Sequence, residues 1–197
     1  ENNKESSILG LDIGVGASCI YPILGSRLYN WDMVGCDIHE SSVKAALQNI
    51  EATPDLKKKI QIRHQKNNAN IFEGVINTDE FYQFSMCNPP FHTSEEEAVK
   101  LTNTKMKNLG YSVTNTSNFG GQANELWCNG GEKLFIKRMI KQSVDFKDQI
   151  EWFTSLVSKS NNLPKIKKYI KKVNATSRII DMSQGNKKSR IVAWTFQ

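Results

Sequence analysis

A chain of 197 residues with 39% hydrophobic and 23% charged residues is long enough for one complete core and ordinary in composition for a globular protein. No apolar run reaches the roughly 20 residues that a membrane helix needs, and the polar start from Glu1 to Ser7 does not resemble a signal peptide. A net charge of +6 leaves two classes of explanation open, a polyanionic partner or a merely solvating surface.

One domain over 1–197 is expected. Residue 1 is Glu rather than Met, which reads as the start of a fragment or a processed form. Cysteines 19, 36, 87 and 128 make no Cys-x-x-Cys pair, and histidines 39, 64 and 92 have no metal-ligand spacing. Reduced, buried thiols, a cytoplasmic setting and no bound metal are therefore expected.

Ile8 to Ile13 reads as a first strand ending in a glycine turn. Cys19, Ile20, Ile23, Leu24 and Leu28 then recur at helical steps, with Pro22 early enough to be tolerated. Trp31 to Asp37 is a second strand. Ser41 or Ser42 is expected to cap a helix through Val43, Ala46, Leu47 and Ile50. Ile60 to Arg63 and Tyr82 to Cys87 are third and fourth strands. Residues 92 to 130 are polar and rich in turn signals, with a capping box at Ser94. Glu132 to Phe146 is a helix, Ile150 to Val157 a fifth strand, and Leu163 to Val173 a basic amphipathic helix. Ser177 to Met182 and Arg190 to Phe196 close the chain as strands, with Asn186, Lys187 and Lys188 in the turn between them. Strands alternating with helices predict an α/β, doubly wound and mostly parallel sheet.

Asp12-x-Gly14-x-Gly16 between a strand and a helix is a nucleoside-binding pattern. Glycines permit the tight turn and a close ligand approach, and Asp37 ends the second strand where a carboxylate can accept from ribose hydroxyls. Cys19 stands where a dinucleotide fold wants a third small residue, and Asp12 suits methyltransferases better. S-adenosylmethionine, a dinucleotide and a purely structural turn all stay open on this motif alone.

Asn88-Pro89-Pro90-Phe91 after the fourth strand changes the balance. An adenine amine is a poor nucleophile because its lone pair is delocalised. The Asn88 side-chain oxygen and the Pro89 carbonyl can accept its two N–H bonds, with the prolines presetting the geometry. Phe91 can stack on a flipped-out base. The competing reading is a turn after a strand.

These stretches carry a resemblance. Leu11 to Pro22, Cys87 to His92, Asn118 to Gln122, Glu125 to Cys128, Gly130 to Glu132, Trp152 to Ser158 and Ala193 to Phe196 resemble the bacterial 23S (large-subunit) ribosomal RNA adenine-N6 methyltransferase F family. More distantly the chain is similar to the eukaryotic methyltransferases of U6 small nuclear RNA. The resemblance implies a Rossmann-like class I fold, seven strands with the last antiparallel, S-adenosyl-L-methionine as cofactor, and N6-methylation of one adenine in 23S ribosomal RNA. It implies that Gly14 and Ser18 contact the cofactor, Asp37 its ribose and Asn67 its adenine, with Asn88 between cofactor and base. The family carries a segment ahead of the first strand that this chain lacks, which implies a core that methylates poorly or not at all.

From Lys159 to Arg190 there are ten Lys or Arg and one acid, Asp181. Lys167, Lys168, Lys171, Lys172, Lys187 and Lys188 are candidate contacts to ribosomal RNA or a large-subunit precursor. A monomer is expected. The rival readings are a protein-glutamine methyltransferase, a DNA adenine methyltransferase and a non-catalytic RNA-binding module.

Overall fold

Leu11 and Ile13 of the first strand are buried on one side, and Asp12 between them points to the other. The computed structural model, which describes residues 7–90, 131–184 and 187–197, extends that two-sided pattern across a seven-stranded sheet. The strands are β1 (Leu9–Ile13), β2 (Asp32–Asp37), β3 (Ile60–His64), β4 (Tyr82–Cys87), β5 (Ile150–Val157), β6 (Thr176–Gln184) and β7 (Lys187–Thr195). Their order is β3-β2-β1-β4-β5-β7-β6. β7 runs antiparallel to both its neighbours, and every other adjacent pair is parallel. This is the expected doubly wound class.

Helices α1 (Ile20–Tyr29), α2 (Glu40–Glu51) and α3 (Pro54–Lys59) accompany one apolar cluster, built on Val15, Cys19, Met33, Ala46, Ile50, Leu56 and Ile60. Helices α4 (Gly131–Ser143) and α5 (Leu163–Lys172) bury Ile136, Met139, Ile140, Ile166 and Ile170 in a second cluster with Leu11, Phe153 and Trp194. Trp194 is fully buried, stacks on Phe153 with centroids 5.6 Å apart, and donates its indole N–H to Ser143 Oγ at 3.0 Å. A buried indole needs such a partner, and Ser143 ends α4 where it can supply one.

Several local expectations are corrected. α2 starts at Glu40 with His39 at the cap position, and no side chain caps it. Ser42 lies inside its first turn and is buried, so neither serine has the predicted role. α3 was not foreseen; Pro54 opens it and only Leu56 is buried, too little for an apolar period to show. α4 ends at Ser143 and tightens into a 3-10 turn over Val144–Phe146. Lys187 and Lys188 belong to β7 rather than to a turn, because cross-strand pairing continues to Gln184 opposite Lys187. Arg190 pairs with Val157 at the end of β5, so the pairs Met182–Ser189, Ser183–Lys188 and Gln184–Lys187 lie beyond that strand. At about 3.4 Å per residue the hairpin overhangs β5 by about 10 Å. The Ser94 capping box and residues 92 to 130 lie outside the described residues.

Candidate active site

Gly14 and Val15 both donate their N–H to the Cys36 carbonyl at 2.9 Å, which folds the chain back against β2 as it leaves β1. The turn holds Gly14 at φ +75 and Gly16 at φ +63, values that favour glycine. A Cβ built on Gly14 meets none of the described residues within 4 Å, so among them the backbone there faces open space. Asp37 braces the same turn. Its carboxylate accepts from Gly16 N–H at 3.0 Å and from His39 N–H at 2.9 Å.

Strand register then brings the two sequence motifs together. Ile13 is level with Cys36 on β2 and with Cys87 on β4. The next residues, Asp37, Gly14 and Asn88, therefore stand side by side at the C-terminal rim of β2, β1 and β4. Strand order reverses between β1 and β4, the crevice where open α/β sheets bind ligands. Asn88 is exposed in that crevice, Pro89 is buried and Pro90 half-buried. A buried Pro89 holds its carbonyl in a fixed direction while Asn88 stays reachable. Phe91 lies outside the described residues.

Asp12 is 1% exposed, and neither of its carboxylate oxygens has a hydrogen-bond partner among the described residues. Burial, and then the nearby charge of Asp37, push its pKa up to about 7. An unpaired buried carboxylate is costly, and a ligand carrying cationic or N–H groups would offset that cost. Burial, then the Asp12 charge, push the thiols of Cys19 and Cys36 up to about 12, so both stay protonated and unreactive.

Ser18 is exposed at the mouth of the turn, just before Cys19, which enters α1 at φ 52. Asn67 follows β3 on the same rim. Its side-chain oxygen accepts from Ala69 N–H at 3.0 Å, and its own N–H donates to Gln65 Oε1 at 3.0 Å. Its carboxamide N–H groups are the part that faces a ligand if it contacts one.

Two residues of the rim were not foreseen. The Tyr21 hydroxyl, in the first turn of α1, lies near enough to Asp12, Asn88 and Cys87 for them to act on it, although Tyr21 reads in sequence as helix surface. Burial and the Asp12 charge raise its pKa. Glu132 is buried at the start of α4 and accepts from Ser158 N–H at 2.8 Å, from Ser158 Oγ and from Asn162 Nδ2 at 2.8 Å. It ties α4 to the connection between β5 and α5. An acid at a helix start reads as a dipole partner, and nothing local reveals such distant donors.

The candidate basic residues divide by position. Lys167, Lys168, Lys171 and Lys172 are all exposed on α5, opposite Ile166 and Ile170. α5 starts at the site rim, where β5 ends, and runs back, so Lys171 and Lys172 lie towards the opposite edge of the sheet. The overhanging β6–β7 hairpin carries Lys187 and Lys188 on the site side. Its own residues Asp181, Met182, Ser183, Lys188, Ser189 and Arg190 line a cavity of about 370 Å³. Among the described residues, no helix is long and apolar enough to cross a membrane.

Residues 1–197 match a protein family described as RNA methyltransferase. The chain belongs to this family. It is 60% identical over 196 residues to a protein of Christiangramia forsetii named Ribosomal RNA large subunit methyltransferase F, covering 100% of this chain and 69% of that relative. The catalytic domain of hMettl16, solved in complex with a MAT2A 3′UTR hairpin, superposes on 96% of the chain with a TM-score of 0.78 and 25% identity. The N-terminal domain of human METTL16 in complex with SAH superposes on all of it with a TM-score of 0.72 and 24% identity, a likeness of fold. The chain spans 64% of each of those solved chains.

Proposed function

We propose that this chain, as one methyltransferase domain over 1–197, transfers a methyl group from S-adenosylmethionine to N6 of a specific adenine in 23S ribosomal RNA. The observation that carries the reading is the register that sets Asn88 and Pro89 beside the Gly14 turn, opposite Asp37 and above the unpaired Asp12. Support comes from the name of the C. forsetii relative, from the RNA hairpin held by the hMettl16 catalytic domain and from the SAH held by the N-terminal domain of human METTL16.

S-adenosylmethionine supplies an electrophilic methyl carbon on a sulfonium. The chain's part is to hold and align. Open space at Gly14 lets a ligand lie against the backbone, and Asp37 offers its remaining lone pairs to ribose hydroxyls. Asp12 offers a cationic group two oxygens that no described residue engages. Asn88 Oδ1 and the Pro89 carbonyl accept the two N–H bonds of the target amine, localising its lone pair. The amine nitrogen forms the new C–N bond as the S–CH3 bond breaks with its electron pair left on sulfur, and the extra proton passes to water. Alignment of this kind can supply about 7–11 kcal/mol of barrier lowering without a general base.

The same reading has a monomer acting in the cytoplasm on 23S ribosomal RNA or a large-subunit precursor, with the β6–β7 hairpin and α5 tracking phosphates. Labelled methyl transfer into RNA from cells lacking the protein, followed by nucleoside mass spectrometry, tests it. N6-methyladenosine is expected. Label in protein glutamine, or in no product, overturns it.

A further inference from the structure

Glu132 is a buried acid with no part in the methyl transfer derived above. It is 2% exposed and opens α4, directly after Gly131 at φ +61. Its carboxylate is held by one short stretch of chain. One oxygen accepts from the Ser158 N–H at 2.8 Å and from the Ser158 hydroxyl. The other accepts from the Asn162 side-chain N–H at 2.8 Å and the Lys159 N–H at 3.4 Å. A buried carboxylate is tolerated where donors surround it, and hydrogen bonds to a charged acceptor are the strong ones. All these donors belong to the connection between β5 and α5, whose own structure is a three-residue 3-10 turn over Ser160–Asn162.

Strand register places that connection. β4 and β5 are parallel, with Ser85 level with Phe153. Continued along both strands, the same offset sets Asn88 and Pro89 beside Leu156 and Val157, and Pro90 beside Ser158. β4 lies between β1 and β5, so the connection flanks Asn88 on the side away from the glycine turn. Glu132 grips it from beneath, while Lys159, Ser160 and Asn161 are exposed on its outer side. The rim therefore has two halves, each fastened by one buried carboxylate. Asp37 holds the Gly14–Gly16 turn, and Glu132 holds the segment from Ser158 to Asn162.

We propose that Glu132 is a positioning residue that fixes the β5–α5 connection as the acceptor-side wall of the crevice, against which the target adenosine is seated. This role rests on the methyltransferase reading above. Glu132 touches no reacting atom and acts through Ser158, Lys159 and Asn162. An amine must stay in line with the S–CH3 bond, and a displacement of about 1 Å can cost roughly a hundredfold in rate.

The test measures single-turnover methyl transfer into unmodified RNA at saturating RNA and cofactor, cofactor affinity by calorimetry and melting temperature. The proteins are the parent, Glu132→Gln, Ser158→Ala, the double variant of both, and Ser143→Ala. Ser143 ends α4 and accepts the Trp194 indole N–H, so Ser143→Ala loosens the same helix away from the rim. Glu132→Gln sets an NH2 where donors need an acceptor. Its transfer should slow roughly ten- to a hundredfold, and that of Ser158→Ala roughly three- to tenfold, with cofactor affinity within about twofold of the parent. The double variant should be no slower than Glu132→Gln, because the two residues act as one unit. Ser143→Ala, assayed below its melting temperature, should transfer at the parent rate. Parent-rate transfer by Glu132→Gln overturns the role, as does a slowing that matches weakened cofactor binding. Fully additive losses, or equal slowing in Ser143→Ala, overturn it as well. If Glu132→Gln does not fold, Ser158→Ala decides: slowing at unchanged cofactor affinity upholds the role and the parent rate overturns it. A parent protein that transfers no methyl group to RNA overturns the methyltransferase reading itself and this role with it.

Discussion

Asp37 accepts the Gly16 N–H at 3.0 Å, so the acid that ends β2 holds the glycine turn that ends β1. Its other oxygen takes the His39 N–H at 2.9 Å. One buried carboxylate thus shapes the turn and faces the crevice, which joins cofactor binding to the integrity of the rim. Asp37→Ala should weaken S-adenosylmethionine binding by at least tenfold and lower stability by about 2–3 kcal/mol, the range for charged hydrogen bonds. Calorimetry together with urea unfolding measures both. An unchanged affinity would remove Asp37 from the cofactor site.

Asp12 gives the site a pH dependence. Its pKa stands at about 7 in the folded chain against an ordinary 3.8. Between those values the folded state binds more protons than the unfolded one, so this group makes stability fall as pH rises from about 4 to 7, and contributes no slope above. A cationic ligand favours the ionised form, so binding below pH 7 must expel a proton. Affinity for S-adenosylmethionine should rise from pH 6 to 8 and level off. Among the described residues, the titratable groups that act on Asp12 are Asp37, Cys19, Cys36 and Tyr21. Asp12→Asn should flatten the profile; a profile that keeps its slope in Asp12→Asn assigns it elsewhere.

Much of this site was legible in the sequence, and the reason is locality. The Gly14 turn, Asp37 and Asn88 each end a buried strand. Parallel strands in register bring such ends together without help from distant side chains. Glu132 was not legible, because what it does depends on partners far along the chain. α3 escaped notice because a six-residue helix with one buried side chain leaves no periodicity. The length of the β6–β7 hairpin was hidden because pairing continues through Ser183, Gln184, Lys187, Lys188 and Ser189, polar residues that show no apolar alternation.

The hairpin and α5 should differ in their hold on RNA. Lys187 and Lys188 belong to the overhang at the site rim, whereas Lys171 and Lys172 end α5 towards the far edge. Changing Lys187 and Lys188 to Ser should weaken RNA binding and reduce the salt slope by about 1 to 2, with a smaller change for Lys171 and Lys172. Filter binding across a salt series gives the slopes. Equal slopes for the parent and the hairpin variant would return those lysines to a solvating role.

Arg63 and Glu80 brace the sheet away from the crevice. Glu80 is held down to about 2, first by the Arg63 hydrogen bond, and Tyr82 donates its hydroxyl to it at 2.9 Å. Both side chains are largely buried, at 13% and 19% exposure. Arg63→Ala should cost about 3 kcal/mol at pH 7, the loss expected when one partner of a buried pair is removed. Glu80 contributes its stability above about pH 4.5 and loses it as pH falls towards 2, so the difference from the parent should shrink in acid. Urea unfolding at pH 7 and pH 3 checks both; a cost independent of pH would deny the pairing its role.

Asn88→Ala in single-turnover transfer, with cofactor affinity measured alongside, bears most directly on how the crevice works. Transfer to RNA should fall by about 10²–10³ while S-adenosylmethionine affinity stays within several-fold, as when one preorganised hydrogen-bonding group is lost. A variant that methylates RNA at the parent rate would contradict the proposal that Asn88 grips the adenine amine.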